Sequence, residues 1–100
     1  MSLIISQKLL ALGAQHPAGK PELIQSLAML TKQEIIVLIH LADDLTAAEI
    51  AKAMRIKPKS VANYKDRIAD KLYLGGCRAL RRFAIQQQEF LHLLKKEMIK

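Results

Sequence analysis

Lys59, Asn63, the adjacent pair Asp66 and Arg67, and Asp70 recur at intervals of three or four residues, with Ala62 on the margin of the set. At about 100° per residue this spacing gathers them on one side of a helix. Val61, Ile68 and Leu72, with Tyr64 and the aliphatic stem of Lys65 beside them, fall on the other side and form its buried face. The outward side then shows an amide, carboxylates and cations, and nothing bulky and apolar. Such groups make hydrogen bonds and charge contacts rather than covalent chemistry. A B-form major groove admits one α-helix, whose N-terminal residues can reach base edges. There an amide such as Asn63 can bond adenine at N6 and N7 together, and a carboxylate such as Asp66 can accept from cytosine N4.

No competing reactive set is visible. His16, His40 and His92 are scattered without ligand spacing, and the lone Cys77 cannot form an internal disulfide or a usual structural zinc site. Cys77 follows two glycines near Arg78, a setting that can lower a thiol pKa, but a small residue after a turn is the plainer reading. No glycine-rich phosphate loop precedes a helix. These absences argue against an enzyme and imply no metal or cofactor.

The elements that must hold the polar face are marked by their starts. Thr46 and Glu49 have the spacing in which hydroxyl and carboxylate each satisfy a free amide at a helix start, so a short helix begins at Ala47. Ile50, Ala51 and Met54 give it an apolar stripe. Pro58 suits the first position of the next helix, because its missing N–H would be unpaired there in any case. That helix is expected over 58–72, and the pair reads as a helix-turn-helix. Thr31 and Glu34 repeat the capping spacing and open a helix over 32–42, whose Ile35, Leu38, Ile39 and Ala42 face a core. Asp43, Asp44 and Leu45 connect it to the central pair.

On the amino-terminal side, Leu3, Ile4, Leu9, Leu10 and Leu12 suggest a short amphipathic helix over 2–13, followed by a loop punctuated by Pro17, Gly19 and Pro21. Leu23, Ile24, Leu27 and Leu30 give the next segment one apolar side. On the carboxyl side, Tyr73 to Gly76 makes a stop. One long helix is then expected from Cys77 or Arg78 towards Met98. Its residues Leu80, Ala84, Gln87, Leu91, Leu94 and Met98 step by four and three, the spacing of a short coiled-coil seam. That pattern suggests a homodimer, unless the stripe covers other helices of the same chain.

The chain has 100 residues, 51% hydrophobic and 4% aromatic, with no tryptophan and a net charge of +7. One domain with helical extensions fits this length, and its core must be aliphatic. No segment has the roughly 20 apolar residues of a membrane span, and the interrupted stretch around Lys8 is a poor signal peptide; a cytoplasmic setting is expected. The charge is localised. Between Lys52 and Arg82 ten basic residues face two acidic ones, whereas the remainder has six basic and seven acidic residues. A basic surface confined to the helix pair and its flanks is the footprint of a polyanion binder.

From Leu30 to Leu74 the chain resembles the LuxR-type (GerE-like) DNA-binding domain of bacterial transcriptional regulators. The resemblance is carried by Leu30-Thr31, Glu34, Val37-Leu38, Ala42, Thr46 and Glu49-Ile50-Ala51, then by Ile56, Ser60-Val61, Tyr64, Ile68 and Lys71-Leu72, in register without a gap. It implies an all-α, four-helix helix-turn-helix fold, here with a short N-terminal helical extension over 1–30, a core over 31–76 and the long helix over 77–100. It implies that the helix over 58–72 enters the major groove of double-stranded DNA. By position, Ala62, Asn63 and Asp66 match sites of base contact, and Thr46, Lys57, Lys59, Ser60 and Lys65 match sites near the DNA backbone. Arg67 on the outward face joins the backbone set. A dimer through the last helix is also implied, which would use Leu80, Ala84, Gln87, Leu91 and Leu94. Asp44 stands where the family usually has glycine, Lys57 where it has a serine cap, and Asp66 where a basic or neutral residue is common.

The expected function is therefore sequence-specific DNA binding in transcriptional control. Two alternatives are a promoter-reading module of the sigma-factor region-four type, which would associate with RNA polymerase, and a helix-turn-helix that docks on protein without binding DNA.

Overall fold

The computed structural model of the chain describes residue 11 and residues 21–98. The helix expected over 2–13 lies outside the described residues. Six helices make up the rest: α1 (Pro21–Ala28), α2 (Lys32–Ala42), α3 (Ala47–Met54), α4 (Pro58–Lys71), α5 (Cys77–Gln86) and α6 (Gln88–Met98). The described part is all-α. Helices α2 to α5 are the expected four, with α1 before them and α6 after.

Both expected capping boxes are present. Thr31 Oγ1 accepts from the Glu34 N–H at 3.2 Å and Glu34 Oε1 accepts from the Thr31 N–H at 2.8 Å. Thr46 and Glu49 repeat the arrangement at 3.2 and 2.9 Å. Each box satisfies two amides that a helix start would otherwise leave open.

Three successive helices also end alike. Asp44 (φ 62°), Arg55 (φ 58°) and Tyr73 (φ 56°) all lie in the left-handed region. After each, the next N–H reaches back to close the turn, Leu45 to His40 O at 3.2 Å, Ile56 to Ala51 O at 3.0 Å and Leu74 to Ala69 O at 2.8 Å. This is the Schellman pattern, in which the residue after the left-handed one is apolar and packs back. Leu45, Ile56 and Leu74 do pack on the core. The conformation at Asp44 accounts for glycine being usual there, and a short polar side chain tolerates it.

The core is formed by one side of every helix. Leu27 and Leu30, Ile35, Leu38 and Leu41, Ile50, Val61 and Ile68, Leu80, and Phe90, Leu91 and Leu94 are all fully buried. The segment over 21–30 is thus part of the core rather than an appendage. Helix α2 runs through the middle, packed against α4, α5 and α6.

The single long helix expected after Cys77 is two helices. Gln87, at φ −100° and ψ 17°, ends α5, and its carbonyl accepts from the Leu91 N–H at 3.0 Å to start α6. The break turns α6 back across α2, which buries Phe90, Leu91 and Leu94. The coiled-coil seam is corrected with it. Leu80, Ala84, Leu91 and Leu94 are fully buried inside one chain, and Gln87 sits at the break. Residues with no exposed surface cannot line a partner without unfolding, so the four-three spacing here records intramolecular packing.

Candidate nucleic-acid interface

Helix α4 is held from below by Val61, Ile68 and Ala69, all buried, and by the half-buried Tyr64, Lys65 and Leu72. Among the described residues nothing covers the outward side. Ala62, Asn63, Asp66 and Asp70 are exposed, as are Lys57, Lys59 and Arg67, and Ser60 is half-buried. The three residues expected to touch bases thus share one accessible face, and all six expected at the DNA backbone flank it or lie one helix away. Arg67 rests its guanidinium 5.9 Å from the centre of the Tyr64 ring, within cation–π reach.

The turn between α3 and α4 fixes where the face begins. Arg55 closes α3 and Ile56 anchors the connection in the core. Lys57 takes the cap position of α4 but makes no side-chain cap hydrogen bond, and Pro58 follows at the first helical position. The first amides of α4 are therefore left without a side-chain acceptor, beside the ammonium groups of Lys57 and Lys59. A helix start of this kind favours anions through its partial positive charge and the Lys59 N–H, since Pro58 has none and the Ser60 N–H is taken by Lys57 O at 2.9 Å. At the start of α3, the Thr46 hydroxyl accepts from the Glu49 N–H. The Glu49 carboxyl is held below its usual range by the Thr46 backbone N–H and hydroxyl.

Not all of the basic residues belong to this surface. Lys71 Nζ donates to Glu34 Oε1 at 2.6 Å. Arg81 donates through Nη1 to Asp44 Oδ1 at 3.0 Å and through Nη2 to Leu45 O at 2.8 Å. These two cations are structural. The Arg81 fork grips the turn just ahead of Thr46 and so ties α5 to the start of α3. Lys52, Arg55, Lys57, Lys59 and Lys65 have no ion-pair partner among the described residues, and Arg78 and Arg82 are exposed on α5.

A third polar cluster joins α6 to the end of α2, away from α4. Asp43 Oδ1 lies 2.6 Å from His92 Nε2, and Asp43 Oδ2 accepts from Lys95 Nζ at 3.1 Å. Burial alone would raise the Asp43 pKa, but the Lys95 and His92 contacts outweigh it and bring the carboxyl below its usual range. His40 on α2 is half-buried, with Nδ1 shielded and without a hydrogen-bond partner among the described residues. Burial pushes its pKa down, the Lys95 charge adds to this, and Asp43 opposes it. Among the described residues no group of three or more His, Cys, Asp or Glu side chains could hold a metal ion, and no helix is long and apolar enough to cross a membrane.

The pairings of Lys71 with Glu34, Arg81 with Asp44 and His92 with Asp43 had no signal in the sequence. The partners stand 37, 37 and 49 residues apart, beyond any helical or hairpin spacing.

Residues 28–84 match the family model GerE, described as bacterial regulatory proteins of the luxR family. The match runs from the last residue of α1 into α5 and includes the whole of α2, α3 and α4. No curated protein and no solved structure matches the chain.

Proposed function

The chain belongs to the luxR family of bacterial regulatory proteins, a family of DNA-binding helix-turn-helix domains, and from that premise we propose that it binds double-stranded DNA sequence-specifically with α4 in the major groove. The observation that carries this reading is the outward side of α4, which exposes Ala62, Asn63 and Asp66 together with Lys57, Lys59 and Arg67. The cations displace counterions from phosphates and supply affinity for any sequence. Asn63, Asp66 and Ala62 reach base edges and supply discrimination. Ser60 offers a hydroxyl donor to phosphate oxygens, and Thr46 lies near the DNA backbone from the start of α3. The regulatory role is control of transcription in the cytoplasm.

Titration of random and selected duplexes at several salt concentrations tests this reading. Sequence-specific binding means a selected site held on the order of 10³-fold or more above random duplex, with affinity for both falling steeply as salt rises. Complete absence of binding at low salt would contradict it. The exposed Asp66 and Asp70 favour a second reading, docking on a protein partner, and that outcome would support it. Association with core RNA polymerase would point instead to a promoter-reading module. A palindromic selected site would report a dimer on DNA, whose contact must lie elsewhere than the buried Leu80, Ala84, Leu91 and Leu94.

A further inference from the structure

Resting on the DNA-binding reading above, we infer that Asp66 sets the specificity of α4 by requiring a cytosine, whose N4 amino group its carboxylate accepts from, and by penalising duplexes that lack one at that place. The placement of Asp66 is what forces the issue. At about 100° per residue it points between Ala62 and Asn63, about 40° from the first and 60° from the second. A negative charge therefore stands in the middle of the face that meets a polyanion.

Nothing among the described residues pairs with it. Asp66 is exposed and has no ion-pair or hydrogen-bond partner among the described residues. Arg67, its neighbour, is turned to the Tyr64 ring. Ala62, one turn earlier, is too small to screen it and leaves the approach to a base open. Once α4 lies in a groove, the carboxylate loses much of its water and needs a donor.

The major groove offers few. Guanine shows two acceptors, and thymine shows an acceptor and a methyl group. Adenine has the N6 donor, but its N7 acceptor beside it faces the second carboxylate oxygen with like polarity. Cytosine shows the N4 donor with no acceptor on its own major-groove edge. Any other base at that position leaves a buried carboxylate unpaired among phosphates, so the residue acts more by exclusion than by attraction.

The test compares the chain with Asp66→Asn in selection from a randomised duplex library, with affinities then measured on the selected site and on random duplex. Asp66 touches nothing in the core, so thermal melting of the variant serves as the control for folding. The expected result is a C·G pair at one fixed position in the sites selected by the parent chain. That preference is lost in Asp66→Asn, by roughly fivefold to tenfold for a single base-edge bond, while affinity for random duplex rises. If both chains select the same sites and hold random duplex equally, or if the parent shows no such pair, the inference is overturned and the DNA-binding reading stands. If neither chain binds any duplex, the DNA-binding reading fails and takes the inference with it.

Discussion

Lys71 Nζ lies 2.6 Å from Glu34 Oε1 and so fastens the last turn of α4 to the first turn of α2. The Glu34 side chain is only 2% exposed, whereas that of Lys71 is 35% exposed. The same carboxylate oxygen accepts from the Thr31 N–H. Burial raises the Glu34 pKa, but Lys71 and Thr31 together outweigh it and keep the carboxyl below its usual range. Helix α4 is thus oriented by an ion pair at one end and by the Pro58 turn at the other.

Lys71→Met removes the cation and strands a buried carboxylate with its capping bond alone. The expected loss is about 1–3 kcal/mol of stability, read by denaturant unfolding. Glu34→Gln in the Lys71→Met background should recover part of it, since an amide is cheaper to bury than an unpaired charge. An additive double mutant would mean that the pair contributes nothing.

Acid should lower the stability of the chain over two pH ranges. His40 binds a proton less readily in the folded chain than its usual 6.5, so stability falls as pH drops below about 6.5 towards the depressed value. Glu34 and Asp43 are also depressed. Their contribution is complete above the ordinary carboxylate range and is lost below about 4 as they are protonated in place. His40→Gln should flatten the upper range and leave the lower, as measured by melting temperature against pH.

What could be read in advance is what is local. Thr31 with Glu34, Thr46 with Glu49, and Pro58 each announce a helix start within four residues, and the two faces of α4 follow from helical period alone. The breaks were harder. Gln87 interrupts a stripe with no glycine or proline to mark it, because the turn is imposed by Phe90, Leu91 and Leu94 finding α2. At the end of α4 the left-handed position falls on Tyr73, 90% exposed, rather than on either following glycine. Charge was legible as a total for the region, but the assignment of Lys71 and Arg81 to internal partners depends on contacts that exist only after folding.

The packing role of the last helices has its own test. Leu91→Ala should cost about 2–5 kcal/mol by opening a cavity in the core. The unfolding midpoint of parent and variant should not depend on protein concentration, as it would for a stripe that holds two chains together. A midpoint that shifts with concentration only in the parent would restore the dimer seam.

Lys59→Ala should weaken binding to every duplex alike. The slope of log affinity against log salt should become shallower by about one, the signature of one lost phosphate contact. Melting temperature should stay nearly constant, because Lys59 is exposed and has no ion-pair partner among the described residues. An unchanged slope would remove Lys59 from the interface.

The central claim is that the outward face of α4 reads base edges, and Asn63 is its most direct probe. Binding of Asn63→Ala to the selected site and to random duplex, at one salt concentration, should show the free-energy gap between the two narrowed by about 1–3 kcal/mol with random affinity nearly unchanged. A variant that loses the same amount on both duplexes, or nothing on either, would contradict the placement of this face against DNA bases.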